Sequence, residues 1–418
     1  FLNTTLIYSN FDYGFDIDSE AAEFTWDSGL QEYSTKFDFT FFANPRNTLD
    51  FGYQAILHNF APPSIIPMGD TNFSPLVLDD KYALEQAIYV GNQQQLNDKI
   101  SLEYGLRYST FQHIGPGRVF LYEEGVPLSD ETITDTEEYE TGENIQFYHG
   151  LEPRFAARYL LTPSSSVKLS YNRMRQYLQV ASNATAGLPI DRWIPADNYV
   201  KPLIGDQIAT GFFKNLASNT LEASVEVYYK WMQNVIDFKS GSDILLNNNI
   251  ETEISEGRGW AYGAEFLIKK NVGKTTGWVS YTLSRARRQV DEINAGLPYN
   301  ARYDRIHDVS VVVSHQFNPR ISLSGTWVYS TGLAVSLPSG RYQINGQSVP
   351  YYDPQKRNAY RRPDFHRMDL SMVLDSKKNE SRRWNSSWSF SVYNAYARKN
   401  PFVITFEDVY NEDPGFEP

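Results

Sequence analysis

The groups that could do chemistry in this chain are six histidines, two loops dense in charge, and no cysteine at all. His307 and His315 stand eight residues apart in a run of alternating apolar and polar residues. On a strand they would share a face but lie roughly 26 Å apart at about 3.3 Å per residue, too far to ligate one metal. In an extended chain Asp364 and His366 share a face and Asp369 takes the other, which suits a solvated strand start better than a metal site. No nucleophile elbow, phosphate-cradling glycine loop or zinc-ligand spacing occurs in the sequence. The lack of cysteine removes thiolate metal sites and disulfide scaffolds. No Ser/His/Asp set can be assembled, so no catalytic residue, cofactor or metal is expected and the chain does not read as an enzyme. Asn3-Thr4-Thr5 and Asn183-Ala184-Thr185 match a glycosylation pattern of the kind chance often produces.

Two loops remain. Residues 115–146 carry nine carboxylates against a single Arg118. Glu137, Glu138 and Glu140 are the candidates for a cation bridge there, because clustered carboxylates suit hard cations. The competing reading is an acidic loop in open solvent. Residues 339–362 mix tyrosines with arginines and a lysine, and Tyr342, Tyr351, Tyr352, Arg361 and Arg362 are its ligand-binding candidates. Tyr and Arg offer large contact area and directed hydrogen bonds. The same side chains could instead pack loops together or meet lipid headgroup anions. Arg285, Arg287 and Arg288 could face lipopolysaccharide or a lumen, and spacing alone leaves both open.

The elements that must position these loops are strands. The chain has 418 residues, 29 Tyr, 25 Phe, 8 Trp and a net charge of −12, with a mean hydropathy of −0.47. No run approaches the 18 or so apolar residues of a membrane helix. Transmembrane strands carry apolar residues only at alternate positions, so a low mean hydropathy agrees with a barrel, and the aromatic load suits interfacial girdles. The acidic balance lacks the basic footprint that nucleic acid requires. In 221–231, Leu221, Val225, Val227, Tyr229 and Trp231 alternate with Glu222, Ser224, Glu226 and Lys230. This period of two recurs in about fifteen segments: roughly 4–17, 22–43, 47–59, 82–95, 99–114, 147–162, 166–182, 203–217, 219–240, 257–271, 274–290, 303–318, 320–338, 363–377 and 386–409. Short turns such as Asn44-Pro45-Arg46-Asn47 alternate with long loops near 60–81, 115–146, 183–202, 241–256, 291–302 and 339–362. An outer-membrane barrel has this pattern, with its short turns periplasmic. A soluble sandwich would have shorter strands. If segments one and fifteen both run outward, an even-numbered barrel needs at least one strand beyond Pro418. Phe1 opening inside a strand then suggests a fragment of something larger.

Several stretches resemble the later barrel half of TonB-dependent outer-membrane receptors. They include Leu151-Glu152-Pro153-Arg154-Phe155, Asp206-Gln207-Ile208-Ala209-Thr210-Gly211, Gly259-Trp260-Ala261-Tyr262-Gly263 and Ser330-Thr331-Gly332-Leu333. Arg367-Met368-Asp369-Leu370 and Ser391-Val392-Tyr393-Asn394 through Phe402 complete the set, in family order over roughly 150–402. The resemblance implies a barrel of about 22 strands, of which these would be numbers seven to twenty-one. It also implies an N-terminal plug and a TonB-contacting segment, neither of which lies in residues 1–418.

The sequence therefore leads to one all-β domain over 1–418, a partial transmembrane antiparallel barrel. The expected function is active outer-membrane uptake of a nutrient, energised through TonB. Expected partners are the TonB complex, reached through the plug, outer-membrane lipid and lipopolysaccharide, an unidentified nutrient and, in one version, a surface lipoprotein. A passive sixteen-stranded porin and a receptor-like platform for a lipoprotein or secretion partner are the alternatives.

Overall fold

A computed structural model describes residues 1–19, 22–68, 75–181, 192–242, 247, 249–344, 347–376, 384–401 and 404. The second glycosylation match, at Asn183, and most of the chain after Pro401 lie outside the described residues.

Fifteen long strands form the wall: β1 Leu2–Ser19, β2 Ala22–Asn44, β3 Asn47–Pro67, β4 Lys81–Gln95, β5 Ile100–Ile114, β6 Asn144–Thr162, β7 Ser165–Gln176 and β8 Leu203–Leu216. The second half is β9 Leu221–Phe238, β10 Ile254–Lys270, β11 Thr275–Val290, β12 His307–Asn318, β13 Ile321–Ser330, β14 Phe365–Asp375 and β15 Ser387–Val392. Each pairs antiparallel with its neighbour in sequence, and two short strands complete a 17-stranded sheet. Among the described residues no ladder joins β1 to β15. The fifteen expected segments are the fifteen wall strands.

Asparagine sets the short turns. Asn44 Oδ1 accepts the Arg46 amide at 2.9 Å, Asn97 Oδ1 those of Lys99 and Ile100 at 2.9 and 3.0 Å, and Asn318 Oδ1 that of Arg320 at 2.9 Å. A side-chain acceptor of this kind reverses the chain in few residues. At the opposite end the strands stop short of the sequence pattern. β13 ends at Ser330 rather than near 338, and β15 at Val392 rather than near 409, because Asn394 and Ala397 take positive φ and turn the chain away.

Register fixes two faces. Phe39 lies opposite Phe51, Phe51 opposite Val90, and Val90 opposite Leu106. Further round, Tyr229 meets Tyr262 with rings stacked 6.2 Å apart, and Phe266 meets Tyr281 at 5.9 Å. Apart from the half-buried Tyr281, these side chains are exposed, as a lipid-facing belt requires. The other face is polar. Lys36 pairs with Asp38 at 2.9 Å, Tyr89 donates to Asp38, and Arg107 reaches Gln54 at 3.2 Å. Glu226 stands opposite Glu265 on this same luminal face. Among the described residues no helix is long and apolar enough to cross a membrane.

Candidate functional site

The mouth lies at the end of the wall opposite the short turns, and its connections fold back onto the wall. A single asparagine prepares one anchor. Asn234 takes φ 58° and makes a bulge between Gln233 and Val235. A bulge adds one residue and re-aims those after it. Val235 and Asp237 thereby turn to the side that carries Arg288. Asp237 accepts the Tyr299 hydroxyl and the Arg357 guanidinium at 2.7 Å each, with Arg288 at 3.7 Å. Burial and the adjacent Asp237 push the Tyr299 hydroxyl far above its ordinary value.

The second anchor is Asp304, which is 1% exposed. It accepts the Ala286 amide at 2.5 Å, pairs with the Arg361 guanidinium, and has Arg285 at 3.7 Å. Arg361 also donates to the Asp304 and Gly332 carbonyls at 2.8 and 3.0 Å. Asn300 and Asn358 exchange side-chain-to-carbonyl bonds of 3.1 and 2.9 Å. Gly332 must be glycine, since a Cβ would overlap the Arg362 carbonyl. A third carboxylate, Asp364, takes the Tyr329 hydroxyl at 2.7 Å and the Gly332 amide at 3.0 Å. Both donors hold it below the usual aspartate value.

These anchors separate the five ligand-binding candidates. Arg361 and Arg362 lie at the base of the loop, Arg362 donating to the Pro401 carbonyl at 2.8 Å. From that base rises a hairpin, Gly340–Ile344 paired with Gln347–Tyr351. Tyr342, Tyr351 and the following Tyr352 are each 48% exposed. The tyrosines are thus half exposed, while the arginines fix the hairpin's foot.

In the acidic loop, residues 117–122 pair with 133–139, and Glu138 lies opposite Arg118 while Glu137 lies opposite Val119. Adjacent strand residues leave opposite faces. Glu137 accepts the Tyr139 hydroxyl at 2.6 Å, Glu140 follows the strand, and Arg118 pairs with Asp79 at 2.6 Å. Among the described residues no group of three or more His, Asp or Glu could hold a metal ion.

The basic trio on β11 divides. Arg285 and Arg287 lie opposite Tyr262 and Trp260 on the outer face, and Arg288 opposite Gly259 on the luminal face. His307 and His315 both face outward, bonded to Tyr281 Oη at 2.9 Å and Thr275 Oγ1 at 2.7 Å. His366 faces outward with Tyr396 at 2.8 Å, and Asp369 takes the other side, as the spacing implied.

Sequence reasoning missed the connection between β7 and β8. Tyr177 stacks on Phe111 at 5.0 Å and, with Ala196, joins Leu30, Phe60 and Ala83 in one buried cluster on the luminal face. Ile194 and Val200 pack with Ile236, Phe238 and Ile254 in another. Tyr148 donates to the Asp197 carbonyl at 2.8 Å. The signal was the apolar content of Trp193 and Ile194 inside the 183–202 loop, facing Leu178 and Val180 at the end of a segment read as one unbroken strand over 166–182.

The family model described as "TonB dependent receptor-like, beta-barrel" matches residues 1–395. No curated protein matches the chain. Among solved structures, the ferric yersiniabactin uptake receptor FyuA from Yersinia pestis superposes with a TM-score of 0.62 at 12% identity, covering 97% of this chain and 55% of that one. The FrpB iron transporter from Neisseria meningitidis gives 0.55 at 14% identity, covering 94% and 59%. The siderophore receptor PiuA from Acinetobacter baumannii gives 0.58 at 11%, covering 96% and 58%. The chain thus spans under two thirds of the length of these structures. With its belt of uncovered apolar side chains, its polar inner face and this family match, the chain belongs to the TonB-dependent receptor β-barrels of the Gram-negative outer membrane.

Proposed function

We propose that the protein takes up a nutrient ligand across the outer membrane, with energy delivered by TonB to a plug domain outside residues 1–418. The observation that carries this reading is the pairing of a polar inner wall with loops tied to that wall by buried carboxylate anchors. In the half near the short turns the lumen keeps a groove of about 540 Å³ lined by Gln93, Glu103, Arg158, Lys168 and Glu226, a wet surface against which a polar plug could sit and slide. The exposed tyrosines of the 340–352 hairpin make first contact, and the loop base stays fixed while ligand moves inward. Nothing in this scheme requires covalent chemistry. Ligand classes in keeping with it are metal chelates, cobalamin-like cofactors, oligosaccharides and peptides. On this reading the outward Arg287 would meet lipopolysaccharide anions, while Arg285 is held by Asn300 and Asp304.

The test is growth on ferric chelates, vitamin B12, oligosaccharides and peptides as sole sources. A deletion strain and a TonB-null strain should fail on the same source, with growth restored by the full-length gene. An always-open pore in liposome swelling by the full-length protein would instead make it a porin. A stoichiometric surface lipoprotein, with no growth defect on any source, would make it a platform.

A further inference from the structure

The outward face of β9–β11 changes character toward the mouth. Val225 and Val227 give way to Tyr229 opposite Tyr262, and then to Trp231 opposite Trp260. Tyrosine and tryptophan collect at the level of the lipid headgroups, so these two rows mark where the acyl region ends. Arg287 lies opposite Trp260, in the same row. Arg258 stands opposite Gln289, one row nearer the mouth, ~7 Å farther along the strand at about 3.3 Å per residue. The two arginines are diagonal neighbours on one strand pair, a spacing of about 7–8 Å that long side chains bridge.

Neither guanidinium has a carboxylate. Arg258 donates to the neutral Gln289 Oε1 at 2.9 and 3.2 Å, and Arg287 donates to no protein acceptor among the described residues. The charges around them are matched in pairs. Arg285 is held by Asn300 and Asp304, and Arg173 by Asp206 at 2.8 Å. Lys201 takes Glu256 at 3.2 Å, and Lys239 takes Glu292 at 3.0 Å. Asp291, exposed in the turn after β11 and four residues beyond Arg287, forms no ion pair among the described residues and offsets one of the two. The balance on this face is therefore positive. A guanidinium presents its donors in a planar fork that matches phosphate two bonds at a time. Here two such forks stand at headgroup height, where the phosphates of the outer leaflet lie.

We propose that Arg258 and Arg287 together hold a phosphate of the lipid A headgroup of lipopolysaccharide, beside the Trp231–Trp260 pair. The site rests on the outward placement of Arg287 proposed above and on the barrel's seat in the outer membrane. It needs neither TonB nor a transported ligand, so it would hold for a porin or a platform as well.

The experiment is titration of bisphosphorylated lipid A into the delipidated full-length protein in detergent, with bound lipid counted by native mass spectrometry. Saturable binding is expected, weakened at least tenfold by enzymatic removal of the phosphates and by the double variant Arg258→Ala/Arg287→Ala. Lys274→Ala, at the opposite end of the wall just before β11, should leave binding unchanged. Melting temperature should hold in the double variant, because neither arginine has a protein counter-charge to lose. Should that variant fail to fold, the dephosphorylated lipid still tests the unaltered protein. Binding that survives either dephosphorylation or the double substitution would overturn the assignment. Equal affinity for phosphatidylglycerol would overturn it too, as would full competition by inorganic phosphate at the lipid's own concentration, which would leave a site for a free ion. Success or failure of TonB-dependent growth decides the uptake reading alone.

Discussion

The Asp304 carboxylate is enclosed on every side, with the Arg361 guanidinium, the Ala286 amide and Arg285 around it. Replacing it with alanine leaves those cations without their counter-charge in a dry setting, at a cost of about 3–5 kcal/mol. Asp304→Ala should therefore lower the melting temperature in detergent and open residues 353–362 to protease, while Tyr342→Ala should do neither. Asp364 gives a pH-dependent case. Its folded pKa is held below its ordinary value, so its contribution is present above about pH 4 and is lost as pH falls through the lowered value. The protection factor of the Gly332 amide, its exchange relative to the intrinsic rate at the same pH, should fall as Asp364 protonates, and Asp364→Asn should show the lower protection already at neutral pH. At this scale the sequence was only partly legible. The tyrosines of 339–362 could be picked out by type, but Arg361 could not be told from a ligand-contacting arginine. Its partner Asp304 lies 57 residues away in sequence, and no local pattern announces a contact of that range.

Period-two alternation located all fifteen strands because each has one face in lipid and one in water, so the pattern is imposed along the whole length of every strand. Strand ends were less legible where the chain leaves the membrane and the pattern loses its cause. The bulge at Asn234 shows the same limit, since one left-handed residue reverses the sides of Val235 and Asp237. Asn234→Val, which penalises positive φ, should loosen the Asp237 anchor and free Tyr299, visible as faster exchange around 235–238 and 299–301. The 340–351 hairpin should behave differently. Replacing Tyr342, Tyr351 and Tyr352 together by alanine should leave folding unchanged and weaken ligand capture at least tenfold. That effect would be read as a higher nutrient concentration for half-maximal growth on the source that supports TonB-dependent growth.

For the molecule as a whole, two environments on either side of one sheet account for composition, strand length and loop alternation together. The chain covers 55–59% of the three solved receptors compared. Val227→Arg, placed in the apolar belt, should destabilise the barrel by ~2–4 kcal/mol, whereas Glu226→Ala on the adjacent luminal position should be nearly neutral when both are refolded into lipid vesicles. Residues 1–418 hold no cysteine, which permits a still more direct measurement: single spin labels introduced in turn at Ser224 through Tyr229 of the full-length protein in bilayers, any cysteine outside 1–418 being replaced. Oxygen accessibility should peak at Val225, Val227 and Tyr229, and that of a water-soluble nickel chelate at Ser224, Glu226 and Tyr228. Accessibility profiles that rise and fall together, or that show no period of two, would contradict a wall with lipid on one side and water on the other.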